Sequence, residues 1–209
     1  MIIIHPRHDF LHLPLASQAL GLIEAAGRTC YKSEDKMTAD SAARFARNAI
    51  KSGHHSIIEH VTVTVTVRFT CDRGVSHELV RHRLAAYSQE STRYVNYGHA
   101  GEIVVIRPPF WREDSEQYAL WYAAMGIAEN IYMRMIEAGV KPEEARSVLP
   151  NSLKTEIVMT ANIREWRHVL KLRTSPAAHP QIRELMLPLL KDLAEWCPPL
   201  FDDLLNKEE

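Results

Sequence analysis

The segment Arg81–Tyr94, RHRLAAYSQESTRY, holds the residue types best suited to chemistry in this chain. It carries the guanidiniums of Arg81, Arg83 and Arg93, the imidazole of His82, the hydroxyls of Ser88 and Ser91, the amide of Gln89 and the carboxylate of Glu90. A guanidinium presents a planar fork of donors that matches phosphate oxygens two at a time. Short hydroxyls and main-chain N–H groups where a helix meets a loop complete such a site. On residue chemistry the stretch reads as an anion-binding segment for a phosphorylated ligand. With a helix through residues 77–87, Arg81 and Arg83 stand ~200° apart and serve two ligands, or one ligand and a neighbouring subunit. The competing reading of an isolated RHR is surface ion pairing with Glu78 or Glu90. The Ser91-Thr92-Arg93-Tyr94 continuation weighs against it.

Other residues invite chemistry less strongly. His54-His55 and Glu59-His60 resemble a zinc motif, but the HxxEH pattern has one residue fewer between its first His and the Glu, so no metal site is expected. Ser91 with His82 lacks a GxSxG elbow and an orienting acid at a known spacing. Cys71 and Cys197 have no neighbouring His in sequence and read as structural thiols. Arg146 and Arg173 fall near helix ends, where a cation complements the helix dipole. Asn162 and Arg164 read as a cap and a surface charge.

Elements must position these groups. Ala42 to Lys51 has helical spacing, ended by Gly53, with His54-His55-Ser56 as a loop. Val61, Val63, Val65, Val67 and Phe69 alternate with polar residues and predict a half-buried strand. Cys71 to Gly74 reads as a turn, Ser76 as the cap of a helix running to Tyr87. Ile103–Ile106 is β-like and stops at Pro108-Pro109. A long amphipathic helix spans Gln117 to Ala138, ending at Gly139. Pro142-Glu143-Glu144 opens another, with Pro and acids in the favourable first turn, and Pro150-Asn151 ends it. Thr155–Thr160 reads as a strand, Arg164–Arg173 as a helix, Gln181–Trp196 as the closing helix. Strands and helices mix without regular βαβ alternation, which favours α+β over a doubly wound parallel sheet.

Bulk properties narrow the classes. The 209 residues suffice for one domain, 1–209, with a sizeable core. Apolar content of 46% and charged content of 24% are those of a soluble globular protein. A net charge of −1 offers no global field for nucleic acid. A nucleic-acid-binding module built on the RHR segment would need a strongly basic balance. Three cysteines without CxxC spacing point to reduced thiols. MIIIHPRHDF lacks the charged lead and apolar core of a signal peptide, and no apolar stretch approaches a membrane helix. A cytoplasmic protein is expected.

The RHR followed by seven residues, Ser and then xRY resembles the signature of the flavin-dependent thymidylate synthases. GHHSIIEH (53–60) before an alternating strand resembles the family's Gly-His segment. VSHELVRHR (75–83) is similar to its lead-in, and ARSVLPNSLKTEIVMTANIREWRHVLKLR (145–173) to its C-terminal half. The resemblance spans roughly residues 20 to 200.

The resemblance implies an α+β fold with a mixed or antiparallel sheet packed by helices, assembled as a homotetramer whose active sites draw on more than one subunit. It implies methylation of dUMP to dTMP, with 5,10-methylenetetrahydrofolate as carbon donor and NADPH as reductant through FAD. Another nucleotide substrate on the same fold is the alternative. His54, Ser56, Arg81, His82, Arg83, Gln89, Asn162, Ile163, Arg164 and His168 match flavin-contact positions. Glu78, Leu79, Val80, Arg81, Gln89, Glu90, Ser91, Thr92, Arg93, Arg146 and Arg173 match nucleotide-binding positions. Arg173 matches the arginine that activates the uracil ring, where stabilising an N3-deprotonated form is electrostatic catalysis. Reduced flavin chemistry belongs to the cofactor, so the implied mechanism needs no cysteine nucleophile. Many members carry a histidine at the position of Ala177; here His179 lies two residues later. His168 stands where some relatives have Asn.

Overall fold

Leu79 is the last buried residue of the helix that leads into the signature, and there the helix ends. The next apolar side chains, Val80 and Leu84, are exposed, so further helical turns would bury nothing. In the computed structural model, which describes residues 1–60 and 64–205, this helix is α3, Arg73–Leu79. The helix expected through Tyr87 is therefore corrected: Arg81–Leu84 is a non-helical link and Ala85–Gln89 is strand β4. The ~200° divergence of Arg81 and Arg83 falls with it. Nor does Ser76 cap α3. The cap is Asp72, whose side chain accepts from the Val75 N–H at 2.7 Å. The turn expected over Cys71–Gly74 is absent, because strand β3, Val65–Asp72, passes directly into the capped helix. Val61, Thr62 and Val63 of the expected strand lie outside the described residues.

The other described elements, in chain order, are β1 (Ile2–Ile4), β2 (Arg7–His12), α1 (Ala16–Tyr31), α2 (Ser41–Lys51), β5 (Val104–Ile106), α4 (Glu116–Glu137), α5 (Pro142–Ala145), β6 (Lys154–Ala161), α6 (Ile163–Arg173), α7 (Pro180–Trp196) and α8 (Pro198–Leu205). A 3₁₀ turn over His55–Glu59 takes the place of the expected loop. Gly53 and Gly139 follow their helices with φ of 73° and 83°, a left-handed conformation that costs an L side chain strain. The fold is mixed α+β. β1 and β5 pair in parallel, Ile2 opposite Val104, and a four-stranded sheet runs β2–β3–β6–β4. Among the described residues no helix is long and apolar enough to cross a membrane.

The chain forms two compact units. The first comprises Met1–His8, Arg68–Arg81 and Tyr87–Val158. Its core gathers Ile103, Val105, Trp121, Met125 and Leu153, with the Trp121 indole donating to Ser152 Oγ at 3.1 Å. The second comprises Asp9–Val67, His82–Ala86 and Met159–Glu209. There α6 and α7 bury Trp166, Val169, Leu170, Leu185, Leu189 and Leu193, and α8 adds Leu200, Phe201 and Leu204. Trp166 is fully buried and donates from Nε1 to the Val65 carbonyl at 3.0 Å.

Asp72→Ala removes the cap that starts α3 and should lower stability by about 1 kcal/mol, read as a lower urea midpoint with unchanged slope. An unchanged midpoint would show that the cap does not hold this junction.

Candidate active site

The residues that match nucleotide positions fall in the first unit, apart from Arg173, and the turn that carries Ser91, Thr92 and Arg93 starts from one well-held carboxylate. Glu90 follows β4 and is partly buried. Its Oε1 accepts from the Tyr97 hydroxyl at 2.9 Å, and its Oε2 accepts from Lys154 Nζ at 2.9 Å and the Glu156 N–H at 3.2 Å. Its own N–H donates to the Glu156 carbonyl at 2.8 Å. Burial and then Glu90 push the Tyr97 phenol up, so it stays a neutral donor. Burial opposes the Lys154 charge, but Glu90 and Glu156 outweigh it and its pKa rises. A carboxylate with three donors is a fixed strut. It sets the start of the turn that carries Ser91, Thr92 and Arg93.

That turn closes on itself. Ser91 Oγ accepts from the Arg93 N–H at 3.2 Å, and its carbonyl accepts from the N–H groups of Tyr94 and Val95. Thr92 is buried and its Oγ1 takes a hydrogen bond from Arg146 Nη1 at 3.4 Å. Arg93 is exposed, its guanidinium 5.4 Å from the centroid of the Tyr94 ring. Gln89 Nε2 donates to Ser76 Oγ at 2.9 Å. Glu78 is partly buried, Val80 and Arg81 are exposed, and the Leu79 side chain belongs to the core while its carbonyl accepts from the Tyr87 hydroxyl at 2.7 Å. Two arginines, Arg93 and Arg146, thus flank a hydroxyl-bearing turn of the kind that holds a phosphate.

The flavin-matching residues fall mostly in the second unit and line two of its pockets. One, of about 430 Å³, is bordered by His55, Asn162, Arg164, Glu165, His168 and Lys171. The other, of about 490 Å³, is bordered by Tyr31, His54, His55, Ser56 and Arg164. Both fall in the size range of small-molecule sites. Arg164 pairs with Glu59, which engages Glu59 elsewhere than in a zinc site. His54 stacks on Tyr31 with ring centroids 6.5 Å apart. Asn162 caps α6, accepting from the Glu165 N–H at 2.9 Å. Ile163 is fully buried. Arg83 is exposed. The cations Arg164 and Lys171 and the donors around them suit the diphosphate of a dinucleotide cofactor such as FAD.

His82 differs from the other flavin-matching residues. It is 4% exposed, and Arg173 Nε donates to its Nε2 at 3.0 Å. Its Nδ1 lies 3.7 Å from Glu165 Oε1, and its ring meets that of His168 edge-on at 5.7 Å. Burial first, then Arg173 and His168, lower its pKa to about 4. Ligand atoms of His82, Glu165 and His168 lie within 4.8 Å of one another, but the Arg173 guanidinium already sits on the His82 lone pair that a metal would need. Three groups here carry no signal in the sequence itself: Glu165, Tyr97 and Lys154. Glu165 follows Asn162 by three residues, the spacing of a capping box, which disguises its position beside His82. His179, two residues after Ala177, is exposed at the start of α7, its Nδ1 3.4 Å from the Gln181 N–H.

Residues 15–199 match the family model described as thymidylate synthase complementing protein. The chain belongs to this family. It is 37% identical over 205 residues to the flavin-dependent thymidylate synthase of Corynebacterium aurimucosum, covering 90% of this chain and 81% of that one. It is 36% identical to the enzyme of the same name from Mycolicibacterium gilvum, covering 90% and 80%. In fold it matches the crystal structure of a UMP/dUMP methylase, PolB from Streptomyces cacaoi, bound with 5-Br dUMP, with a TM-score of 0.77 at 23% identity, covering 97% and 96% of the two chains.

Cys71 and Cys197 are fully buried and Cys30 is exposed. Burial pushes the Cys71 thiol up strongly and that of Cys197 to about 11, so neither supplies thiolate near neutrality. A thiol-reactive chromophore should titrate Cys30 alone in the native protein and all three cysteines after denaturation. Rapid native reaction at Cys71 or Cys197 would reopen a thiol mechanism.

Proposed function

We propose that this chain is a flavin-dependent thymidylate synthase, methylating dUMP to dTMP in the cytoplasm with 5,10-methylenetetrahydrofolate as carbon donor and NADPH as reductant through FAD. The match of residues 15–199 to the family, with curated relatives named for this activity, carries the reading. The residue chemistry agrees with it. Arg93, Arg146, Ser91 and the N–H groups of the turn suit a nucleotide phosphate dianion. Arg173 stabilises negative charge developing on the uracil ring. Reduced flavin, when bound, supplies hydride. His54, Ser56, Asn162, Arg164 and His168 hold the cofactor in the second unit. Buried, protonated thiols agree with a route that uses no cysteine nucleophile.

We further propose a homotetramer with active sites drawn from more than one subunit. Leu120, Ala124, Ile127 and Ile131 share one face of α4 at i, i+4, i+7 and i+11, and all are exposed. An apolar stripe of this kind on a long helix marks an association surface. Ile127→Lys should reduce the mass measured by light scattering below four chain masses. An unchanged tetramer would move the interface away from α4.

The function is tested on the purified protein with dUMP, methylenetetrahydrofolate, NADPH and FAD. It should bind flavin, show a flavin band perturbed by dUMP, and form dTMP; UMP in place of dUMP tests the alternative substrate. Arg173→Ala should abolish dTMP formation while flavin remains bound. Arg93→Ala should raise the dUMP requirement about tenfold or more, as expected for one charge-assisted contact. Protein that takes up no flavin, or an Arg173→Ala variant that still turns over, would overturn the assignment concerned.

A further inference from the structure

Arg173 extends from the end of α6, and its reach is set by a partner on another segment. The guanidinium has only donors, so the 3.0 Å contact from its Nε to His82 Nε2 makes that nitrogen the acceptor. The ring proton of neutral His82 is then on Nδ1, the nitrogen 3.7 Å from the Glu165 carboxylate. That distance is longer than a hydrogen bond, but it leaves the Nδ1–H beside the Glu165 carboxylate. His82 and Glu165 are 4% and 5% exposed. Eight residues of helix separate Glu165 from Arg173, about 12 Å of rise, and side chains on a helix lean towards its N-terminus. Arg173 thus leans back along α6 to meet a ring held near the helix start.

We propose that His82 is a positioning residue for Arg173: oriented by Glu165, its neutral ring accepts the Arg173 Nε hydrogen and fixes the guanidinium that faces the substrate. The inference rests on the function proposed above. It separates His82 from its two signature neighbours, Arg81 and Arg83, which are exposed. Protonation of His82 converts the acceptor into a donor facing a donor, so the contact exists only while the ring is neutral. Glu165, His168 and Arg173 surround the ring, and its pKa is lowered to about 4. The unfolded value lies near 6.5. The neutral ring therefore contributes stability above pH ~6.5, lost as pH falls through that value towards 4.

Two measurements test the proposal. In ¹⁵N NMR of the histidine-labelled protein, His82 should appear as the Nδ1–H tautomer and stay neutral at pH 6. Arg173→Ala should raise its pKa, because a neighbouring cation is removed. A ring in the Nε2–H form, or one whose titration ignores Arg173, overturns the proposal even if the protein forms no dTMP. In turnover, His82→Ala should lower kcat roughly tenfold to a hundredfold, the scale for a misplaced catalytic group, with flavin content unchanged. His82→Gln, which keeps an acceptor near the ε position, should recover much of that loss. In dUMP affinity, His82→Ala on an Arg173→Ala background should add nothing. Loss of flavin from His82→Ala, equal defects in the Gln and Ala variants, or additive losses of dUMP affinity would assign His82 to another role. Absence of dTMP formation by the unaltered enzyme would instead overturn the function.

Discussion

A buried indole hydrogen bond fixes α6, the helix whose polar residues border a pocket of the second unit. Trp166 sits on α6 with no exposed surface, and its Nε1 donates to the Val65 carbonyl. An indole N–H buried without an acceptor costs about 1–3 kcal/mol, so rotation of α6 that broke this bond would be resisted. Ile163, Val169 and Leu170 on the same helix are buried too, which leaves one packing of the helix open. Asn162, Arg164, Glu165, His168 and Arg173 therefore project from a rigid rod. A pocket lined from such a rod needs little reordering when a ligand arrives.

The first unit reaches the same end by charge. Its turn over residues 91–95 lacks a helix to hold it. It hangs instead from Glu90, whose two oxygens take three hydrogen bonds. A carboxylate at the foot of this turn would repel any anion brought there if its charge were unscreened. Lys154 pairs with Glu90 at 2.9 Å and with Glu156 at 3.1 Å, while Arg93 is exposed and Arg146 bonds Thr92, so that the guanidiniums outweigh the remaining carboxylate. The local balance is therefore positive at the turn although the whole chain has a net charge of −1.

Periodicity made the long elements legible. The spacing of Trp121, Met125 and Tyr132 in α4, and the run of apolar residues in α6 and α7, follow directly from one buried face each. β6 alternates buried and half-buried positions along its whole length. Two kinds of feature were not legible. Short elements such as β1, β2 and α8 have too few residues to establish a period. The end of α3 was misplaced because the continuation still looks helical locally, and only the exposure of Val80 and Leu84 shows that nothing packs there. As candidate site residues, Ser91, Arg93, Arg146 and Arg173 could be named from residue type and motif alone. Their partners could not, since Glu90 with Lys154 and His82 with Arg173 are joined by the fold across 64 and 91 residues.

The early end of α3 also explains how three consecutive residues come to face different surroundings. Three consecutive residues on a continuous helix share one rod and fan out by about 100° each. With the helix ended at Leu79, Val80 and Arg81 close a turn, their N–H groups donating to the carbonyls of Ser76 and Glu78, and Arg81, His82 and Arg83 no longer share one helical rod. Arg81 belongs to the first unit, and His82 and Arg83 to the second, before the chain returns to the first at Tyr87. His82 alone turns inward, where Arg173 donates to its Nε2 at 3.0 Å and the Glu165 carboxylate lies 3.7 Å from its Nδ1. Its neighbours keep their charges in water, where a guanidinium remains available to an anionic ligand. A motif that looks like a uniform basic patch in sequence is thus two exposed cations around one buried, neutral acceptor.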